Sequence, residues 1–355
     1  MAVKKILVVG GGPIGLVTAI SFAKNHEVVL LEKKSWPRDK VCGQGIMPSG
    51  ANVLKNIGYS FSAENSSSFL GVEFFIDGTL LTGNLPSCGY GVERSVLSEN
   101  LYNLAKRNSN IELLDRSEFI SFVEKNDQCH VEYQRGEELN KLTVDHIIAC
   151  DGLHSRVRSF LGLEKKRRDK FRRGARFHYD LPPWSRYVQS YWKTGIEAYV
   201  TPVSNSRIEI AFLWDDRVIS RETPLTDYLL SQFPELGKKI KLNEIKDFGA
   251  YGPFSAYSKC LRSGKVIFLG DAYKFVDGIT GEGLSVGFKC ADILSKGIST
   301  KNLIRVRLVY LQYELVTKFV LLIARHRFLK HLLRRLIQRN QYILNFLMRL
   351  NDHSI

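Results

Sequence analysis

Lys5-Ile6-Leu7-Val8-Val9-Gly10-Gly11-Gly12-Pro13-Ile14-Gly15 opens this 355-residue chain and decides how the rest is read. Lys5 to Val9 reads as a continuous apolar run, the pattern of a parallel strand covered on both faces. It runs into G-x-G-x-x-G at positions 10, 12 and 15, then a helix-compatible segment from Leu16 to Lys24 and a second apolar run, Glu27 to Leu31, that ends at Glu32. Strand, glycine turn, helix, strand and acid in that order describe a dinucleotide site. Gly10 permits the tight turn, Gly12 lets a pyrophosphate approach the backbone, and Gly15 lets helix and strand pack closely. The helix N-terminus, entered through Pro13 and Ile14, offers free N–H groups and a partial positive charge. Glu32, with Lys33 beside it, stands where an acid accepts hydrogen bonds from both ribose hydroxyls. An acid there repels a 2′-phosphate, so FAD or NAD fits and NADP does not.

Two downstream blocks separate FAD from NAD. The apolar run Lys265 to Leu269 ends in Gly270-Asp271-Ala272, and a glycine-rich turn through Gly278, Gly281, Glu282 and Gly283 leads into another helical pattern. A carboxylate after a strand, followed by such a turn, makes a second polyol and phosphate site that a simple NAD dehydrogenase does not use. A flavin does, with Asp271 accepting from its ribityl chain and backbone N–H groups at the helix start facing its ring. Glu282 is expected either to join that site or to cap the helix that begins near Gly283. Between the two sites, His146 to Cys150 reads as a strand ending in Asp151-Gly152. The whole reading requires Gly12 and Asp271 to converge in space.

These blocks resemble the group A flavoprotein monooxygenase superfamily, whose hallmarks are GxGxxG, a central DG motif (here Cys150 to Arg158, CDGLHSRVR) and a C-terminal GD motif. The stretch FLGDAYKFVDGITGEG, and a Cys-Gly pair at Cys42-Gly43, are closest to the geranylgeranyl-reductase-like branch. The resemblance covers most of residues 1–300. It implies FAD, with Arg38 and Arg94 reaching its phosphates, Asp151 and Gly152 beside it, and NAD(P)H as a transient electron donor. It also implies Cys42 on the substrate side. The sequence departs from the hydroxylase pattern at Tyr273-Lys274, which follow Ala272, and at Gly278, where a proline is common. The Trp-x-Trp-x-Ile-Pro signature of flavin-dependent halogenases is absent, which argues against halogenation.

Residues from about 161 to 254 alternate at period two in several short runs, as an antiparallel sheet with one buried face. In the superfamily such a sheet roofs the flavin and builds the substrate pocket. Its aromatic wealth, Tyr191, Tyr199 and Phe212 included, suits an apolar substrate. The expected fold is therefore α/β, a Rossmann-type FAD-binding domain with an inserted antiparallel β-sheet substrate domain and a C-terminal helical segment. FAD-domain residues are 1–68, 91–160 and 255–300, sheet residues 69–90 and 161–254, and basic amphipathic helices 301–355.

The formal net charge is +15. Eight Lys/Arg against two acids between Glu164 and Arg176, and eleven against two from Lys301 onward, account for all of it. In the tail, Phe328, Leu329, Leu332, Leu333, Leu336 and Ile337 recur at helical spacing among Arg327, Lys330, Arg334, Arg335 and Arg339. Such a helix packs on the FAD domain or rests on an anionic membrane surface through residues 325–355. A nucleic-acid partner is not expected, since no recognition motif accompanies the charge and it would leave the glycine turns unexplained. Apolar content of 44% excludes disorder as the main state, and no run approaches the length of a spanning helix. The lysine pair and apolar follow-on at the N-terminus imitate a signal peptide, but the glycine cluster argues against one. Six dispersed cysteines, without CxxC or zinc spacing, read as reduced thiols with no metal site, hence a cytoplasmic protein, with peripheral attachment to the inner face of the membrane as an option. The functional expectation is an FAD-dependent monooxygenase that hydroxylates or epoxidises an apolar organic substrate. Reduction of prenyl-chain double bonds is the alternative on the same fold, and a non-catalytic basic binding protein or flavoprotein scaffold the alternative from another class.

Overall fold

The computed structural model describes residues 2–37, 43–166, 171–219, 224–240, 245–252 and 256–352. The glycine turn sits at one end of a six-stranded sheet whose order is Arg262–Ser263, Val266–Phe268, His146–Ala149, Lys5–Val9, Glu27–Leu31, Ile111–Leu114. The last five are mutually parallel, and Arg262–Ser263 closes one edge as an antiparallel partner. Alternation along these strands builds two cores. Ile6, Val8, Val28, Leu30 and Ile148 face a helical layer. Leu7, Val9, Val29, Leu31 and Ile147 face Phe119, Phe122, Val131 and Val144 of a three-stranded antiparallel sheet, Ser117–Lys125, Gln128–Arg135 and Glu138–Val144. Both faces of the inner strands are thus covered, as the uninterrupted apolar runs require.

The helices, in chain order, are α1 (Pro13–Phe22), α2 (Pro48–Asn56), α3 (Arg94–Lys106), α4 (Arg156–Phe160), α5 (Leu225–Ser231), α6 (Pro234–Gly237), α7 (Gly283–Ser295), α8 (Thr300–Arg325), α9 (Arg327–Arg339) and α10 (Tyr342–Asn351). Glycine sets the spacing of the FAD-side layer. A Cβ at Gly287 of α7 would lie 2.5 Å from Ile14 of α1, and one at Gly50 of α2 would lie 2.5 Å from Ser285 of α7.

A second, eight-stranded sheet runs Ile245–Tyr251, Arg172–Tyr179, Ile208–Asp215, Ile196–Pro202, Val188–Lys193, Ser67–Ile76, Thr79–Gly91, Gly45–Ile46. It departs from expectation in two respects. Val188–Lys193 pairs with Ser67–Ile76 in parallel, so the sheet is mixed at that junction. Both of its faces are buried, not one. Phe177, Tyr191, Ile210, Phe212 and Trp214 pack beneath Leu229, Leu230 and Leu236 of α5 and α6. Trp192, Tyr199 and Leu213 on the other face meet Leu321, Ile337, Leu344 and Met348 of the C-terminal helices. Alternation persists, but both alternating sets are apolar because each face has its own cover.

The tail also packs differently from the expected docking on the FAD domain. Leu329, Leu333 and Ile337 of α9 belong to the core against the eight-stranded sheet. It is α8 that reaches the FAD side, through Val306, Tyr310 and Tyr313. Among the described residues, no helix is long and apolar enough to cross a membrane.

Candidate active site

The first glycine turn is held by sterics that allow no side chain. Gly10 has φ +102°, and a Cβ there would lie 2.7 Å from the Asp151 Cα and the Cys150 carbonyl. A Cβ on Gly15 would lie 1.8 Å from the Gly10 carbonyl oxygen. On the open side nothing lies within 4 Å of the place a Gly12 Cβ would occupy. Helix α1 begins at Pro13 with Gly12 as N-cap and no side-chain cap, leaving the N–H groups of its first turn available to an anion. Glu32 is buried beside the turn, and its carboxylate accepts the Gly11 N–H at 2.8 Å and the Lys34 N–H at 2.9 Å. Lys33 is exposed at the strand end.

The central DG segment backs against Gly10. Asp151 turns one oxygen to the N-terminus of α4, accepting from Arg156 N at 2.7 Å and Val157 N at 3.1 Å. Its Oδ1 is buried without a hydrogen-bond partner among the described residues. Burial pushes its carboxyl above the usual range, against the pull of those hydrogen bonds. Gly152, at φ +81°, turns the chain away. Arg158 from the same block is fully buried and donates to the Ala272 carbonyl at 3.0 Å, tying the DG and GD segments together.

The second glycine turn meets the first, as the convergence of Gly12 and Asp271 demands. A Cβ on Gly270 (φ +61°) would lie 2.5 Å from Ile14 Cδ1, so the Ile14 side chain touches both Gly270 and Gly287. The Gly270 N–H donates to the Tyr310 hydroxyl at 2.6 Å, and the Tyr313 hydroxyl donates to the Asp277 carbonyl at 3.2 Å. Helix α8 therefore splints this turn from outside. The two departures from the hydroxylase pattern take part: Tyr273 packs edge-on against Tyr310, and Lys274 pairs with Glu314 at 2.7 Å. Asp277 is held in turn by Arg172, whose guanidinium reaches it at 3.1 Å and Glu197 at 2.5 Å, all three buried. Burial alone would weaken this cation, but the two carboxylates more than offset that and hold Arg172 above its ordinary value. Gly281 (φ +67°) and Gly283 have open space where a Cβ would stand. Glu282 does not cap α7. Its carboxyl makes no cap hydrogen bond, and burial together with nearby Asp352 raises it well above the usual carboxylate range.

The uncapped helix start, the open cradle at Gly12, Gly281 and Gly283, and the buried acceptor at Asp151 Oδ1 fit a dinucleotide with a polyol chain. Arg94, buried at the start of α3, donates to the Gly43 carbonyl at the rim of the same region. Arg38 and Cys42 lie outside the described residues.

Beside Asp271 opens a cavity of about 480 Å³. The turn Gly278 to Gly281 forms one wall and the eight-stranded sheet another, with Leu333, Ile337 and Met348 of the C-terminal helices opposite. Tyr199 lines it and donates to the Ile279 carbonyl at 2.9 Å. Phe212 borders it, while its ring packs with Phe177 and Phe233 on the far side of the sheet. Tyr191 does not reach it. The period-two alternation points Ser190 and Trp192 at the cavity and leaves Tyr191 on the opposite face, stacked at 4.4 Å on Phe75. One end of the cavity is polar. Gln44 N donates to Glu209 Oε2 at 2.9 Å, His178 pairs with Gln44 Oε1 at 3.0 Å, and Arg176 lies alongside. Burial pushes the Glu209 carboxyl up to about 7, against the Gln44 N–H and the cations Arg94 and Arg176. Sequence reading missed Glu209, Gln44, Tyr310 and Arg158. The only local signal was an acid within an otherwise apolar run, and tyrosines three apart on one helix face.

Residues 4–299 match the family described as FAD binding domain. Among curated proteins, Conditioned medium factor receptor 1 of Dictyostelium discoideum is 30% identical over 122 residues, covering 29% of this chain and 23% of that protein, so the chain spans less than a quarter of its length. Among solved structures, the flavin-dependent brominase Bmp2 superposes with TM-score 0.83 at 15% identity, over 99% of this chain and 94% of that one. The p-nitrophenol 4-monooxygenase PnpA from Pseudomonas putida gives 0.81 at 18%, over 99% and 98%. PqsL from P. aeruginosa, solved with 2-aminobenzoylacetate, gives 0.71 at 19%, over 83% and 86%. At these identities the likeness is one of fold. Since the family match takes in both glycine turns and the DG segment between them, the chain belongs to the FAD-binding domain family, and it has the fold of flavoprotein monooxygenases and halogenases.

Proposed function

We propose that the protein is a monooxygenase that hydroxylates or epoxidises an apolar organic substrate, with NAD(P)H as a transient electron donor. The observation that carries this reading is the apolar cavity joined directly to the Asp271 and Gly278–Gly281 segments, because oxygen transfer needs the substrate held against the cofactor and away from water. FAD, when bound, would supply the two-electron redox chemistry and the activation of O2. Over the cycle one oxygen atom enters the substrate and the other leaves as water, with one NAD(P)H and one proton consumed. The chain's own residues bind and shield. Gly12 and the α1 N-terminus receive the pyrophosphate, Glu32 the ribose and Asp271 the ribityl chain. Trp192, Leu213 and Ile337 exclude water, and the Gln44–Glu209 pair meets a polar group of the substrate. A carboxyl near its midpoint at neutral pH can hold or release a proton there.

A second reading uses the same residues to reduce double bonds of a prenyl chain, which the long aliphatic wall formed by α8–α10 would accommodate. Purified FAD-loaded protein, mixed with NADH or NADPH in air and under argon, separates them. Oxygen-dependent consumption of the donor with oxygenated product supports the first. Turnover that persists without oxygen, with a chemical reductant, overturns it and leaves prenyl reduction.

A further inference from the structure

Helix α8 carries an apolar stripe that nothing among the described residues covers. Ile304, Leu308, Leu311, Leu315, Phe319 and Leu322 are all exposed and recur at three- and four-residue spacing, one continuous band about 27 Å long at 1.5 Å per residue. Lone exposed leucines need no explanation, but a band of six is an interaction surface. Exposed cations flank it at helical positions on both sides, Lys301 and Arg305 on one, Arg307 and Lys318 on the other. The only acid on the helix, Glu314, is held by Lys274 and Lys318. Next in the chain, α9 exposes Phe328, Leu332 and Leu336 on the same face as Arg335 and Arg339.

Two residues of the stripe connect it to the interior. Leu315 and Phe319 are 59% and 47% exposed, yet both line the cavity. The cavity therefore opens through the apolar band itself.

We propose that α8, extended by the exposed edge of α9, is a docking surface for an anionic lipid bilayer, with the cavity mouth set into the lipid-facing side. Apolar residues flanked by cations match an interface of acyl chains beneath negatively charged headgroups. A second copy of the chain is a poorer occupant, because a twofold contact would bring the same arginines against one another. A bilayer also gives the mouth at Leu315 and Phe319 a purpose. An apolar molecule dissolved in lipid reaches the cavity without crossing water. That delivery role rests on the apolar-substrate reading above, whereas docking does not depend on it.

The test is flotation of the full-length, FAD-loaded chain with phosphatidylglycerol/phosphatidylcholine vesicles and with pure phosphatidylcholine vesicles, at low and high salt and without turnover. Three variants are compared: Leu311→Asp/Leu322→Asp, Arg305→Gln/Arg307→Gln, and a control at exposed apolar positions in the three-stranded sheet, Val123→Asp/Leu139→Asp. Retained FAD absorbance confirms that each is folded. The expected result is binding to anionic vesicles that high salt weakens, loss with the leucine pair, about 30-fold weaker partitioning with the arginine pair, and no change with the control. Absence of wild-type binding to anionic vesicles overturns the proposal, as does binding that neither α8 pair affects. A solution dimer that the leucine pair dissociates, without vesicle binding, assigns the stripe to a second copy instead. Failure of oxygenation assays with vesicle binding intact would leave docking standing and remove only its substrate.

Discussion

Glu209 makes the stability of this protein depend on pH in a way that one substitution should erase. The carboxyl is fully buried on the cavity face of strand Ile208–Asp215, and burial pushes it up to about 7 from an ordinary value of 4.5. The folded chain thus holds this proton more tightly than the unfolded one. The resulting stabilisation is complete below about pH 4.5 and is lost as pH rises through about 7. A gap of roughly 2.5 units, at about 1.4 kcal/mol each, corresponds to about 3 kcal/mol. Glu209→Gln keeps an oxygen that accepts the Gln44 N–H but cannot ionise, so it isolates the proton from the hydrogen bond. Urea unfolding of both proteins at several pH values between about 4.5 and 8 should show wild type losing about 3 kcal/mol relative to the variant across that range. A difference that stays flat refutes the reasoning. It would mean that Arg94 and Arg176 keep the carboxylate ionised throughout.

Three further outcomes are expected. Gly10→Ala adds a Cβ at φ +102° against the Asp151 backbone, so the variant should purify without flavin absorbance and take up no added FAD; wild-type FAD content would contradict this. Tyr310→Phe removes the acceptor of the Gly270 N–H in a buried site, which should cost about 1–3 kcal/mol in unfolding experiments and loosen FAD, measured as faster cofactor loss on dilution. Arg172→Met strands Glu197 and Asp277 without their cation, a loss of about 3–5 kcal/mol that adding Glu197→Gln should partly reverse when both are compared by chemical denaturation.

Much of the candidate cofactor site was legible because it is built from backbone. A turn that excludes every Cβ, as at Gly10 and Gly15, leaves its mark as glycine at fixed spacing, and a strand buried on both faces leaves an unbroken apolar run. Those constraints are local, so the order strand, turn, helix, strand and acid carried the Rossmann reading, and repeating the logic at Gly270 and Gly283 carried FAD over NAD. The substrate side was far less legible. Period two identified the sheet strands, but which alternating set looks into the cavity depends on which face each cover occupies. Tyr191 and Trp192 are neighbours in sequence and opposites in space, and both faces proved apolar. The tail misled for the same reason. Its amphipathic pattern fitted packing on the FAD domain or an anionic membrane equally, whereas the inner edge of α9 packs on the eight-stranded sheet.

Sequence alone therefore determined the FAD-binding family and the two glycine turns that frame the candidate site, because each is dictated by the conformation of a short segment. Only the tertiary structure decided that Tyr310 and Arg158 clamp the second turn, that Glu209 and Gln44 share a buried polar end, and that the cavity opens through an apolar band on α8. These properties come from contacts between residues separated by tens to hundreds of positions, and burial and charge there are set by what folds on top of a side chain, which no local pattern records.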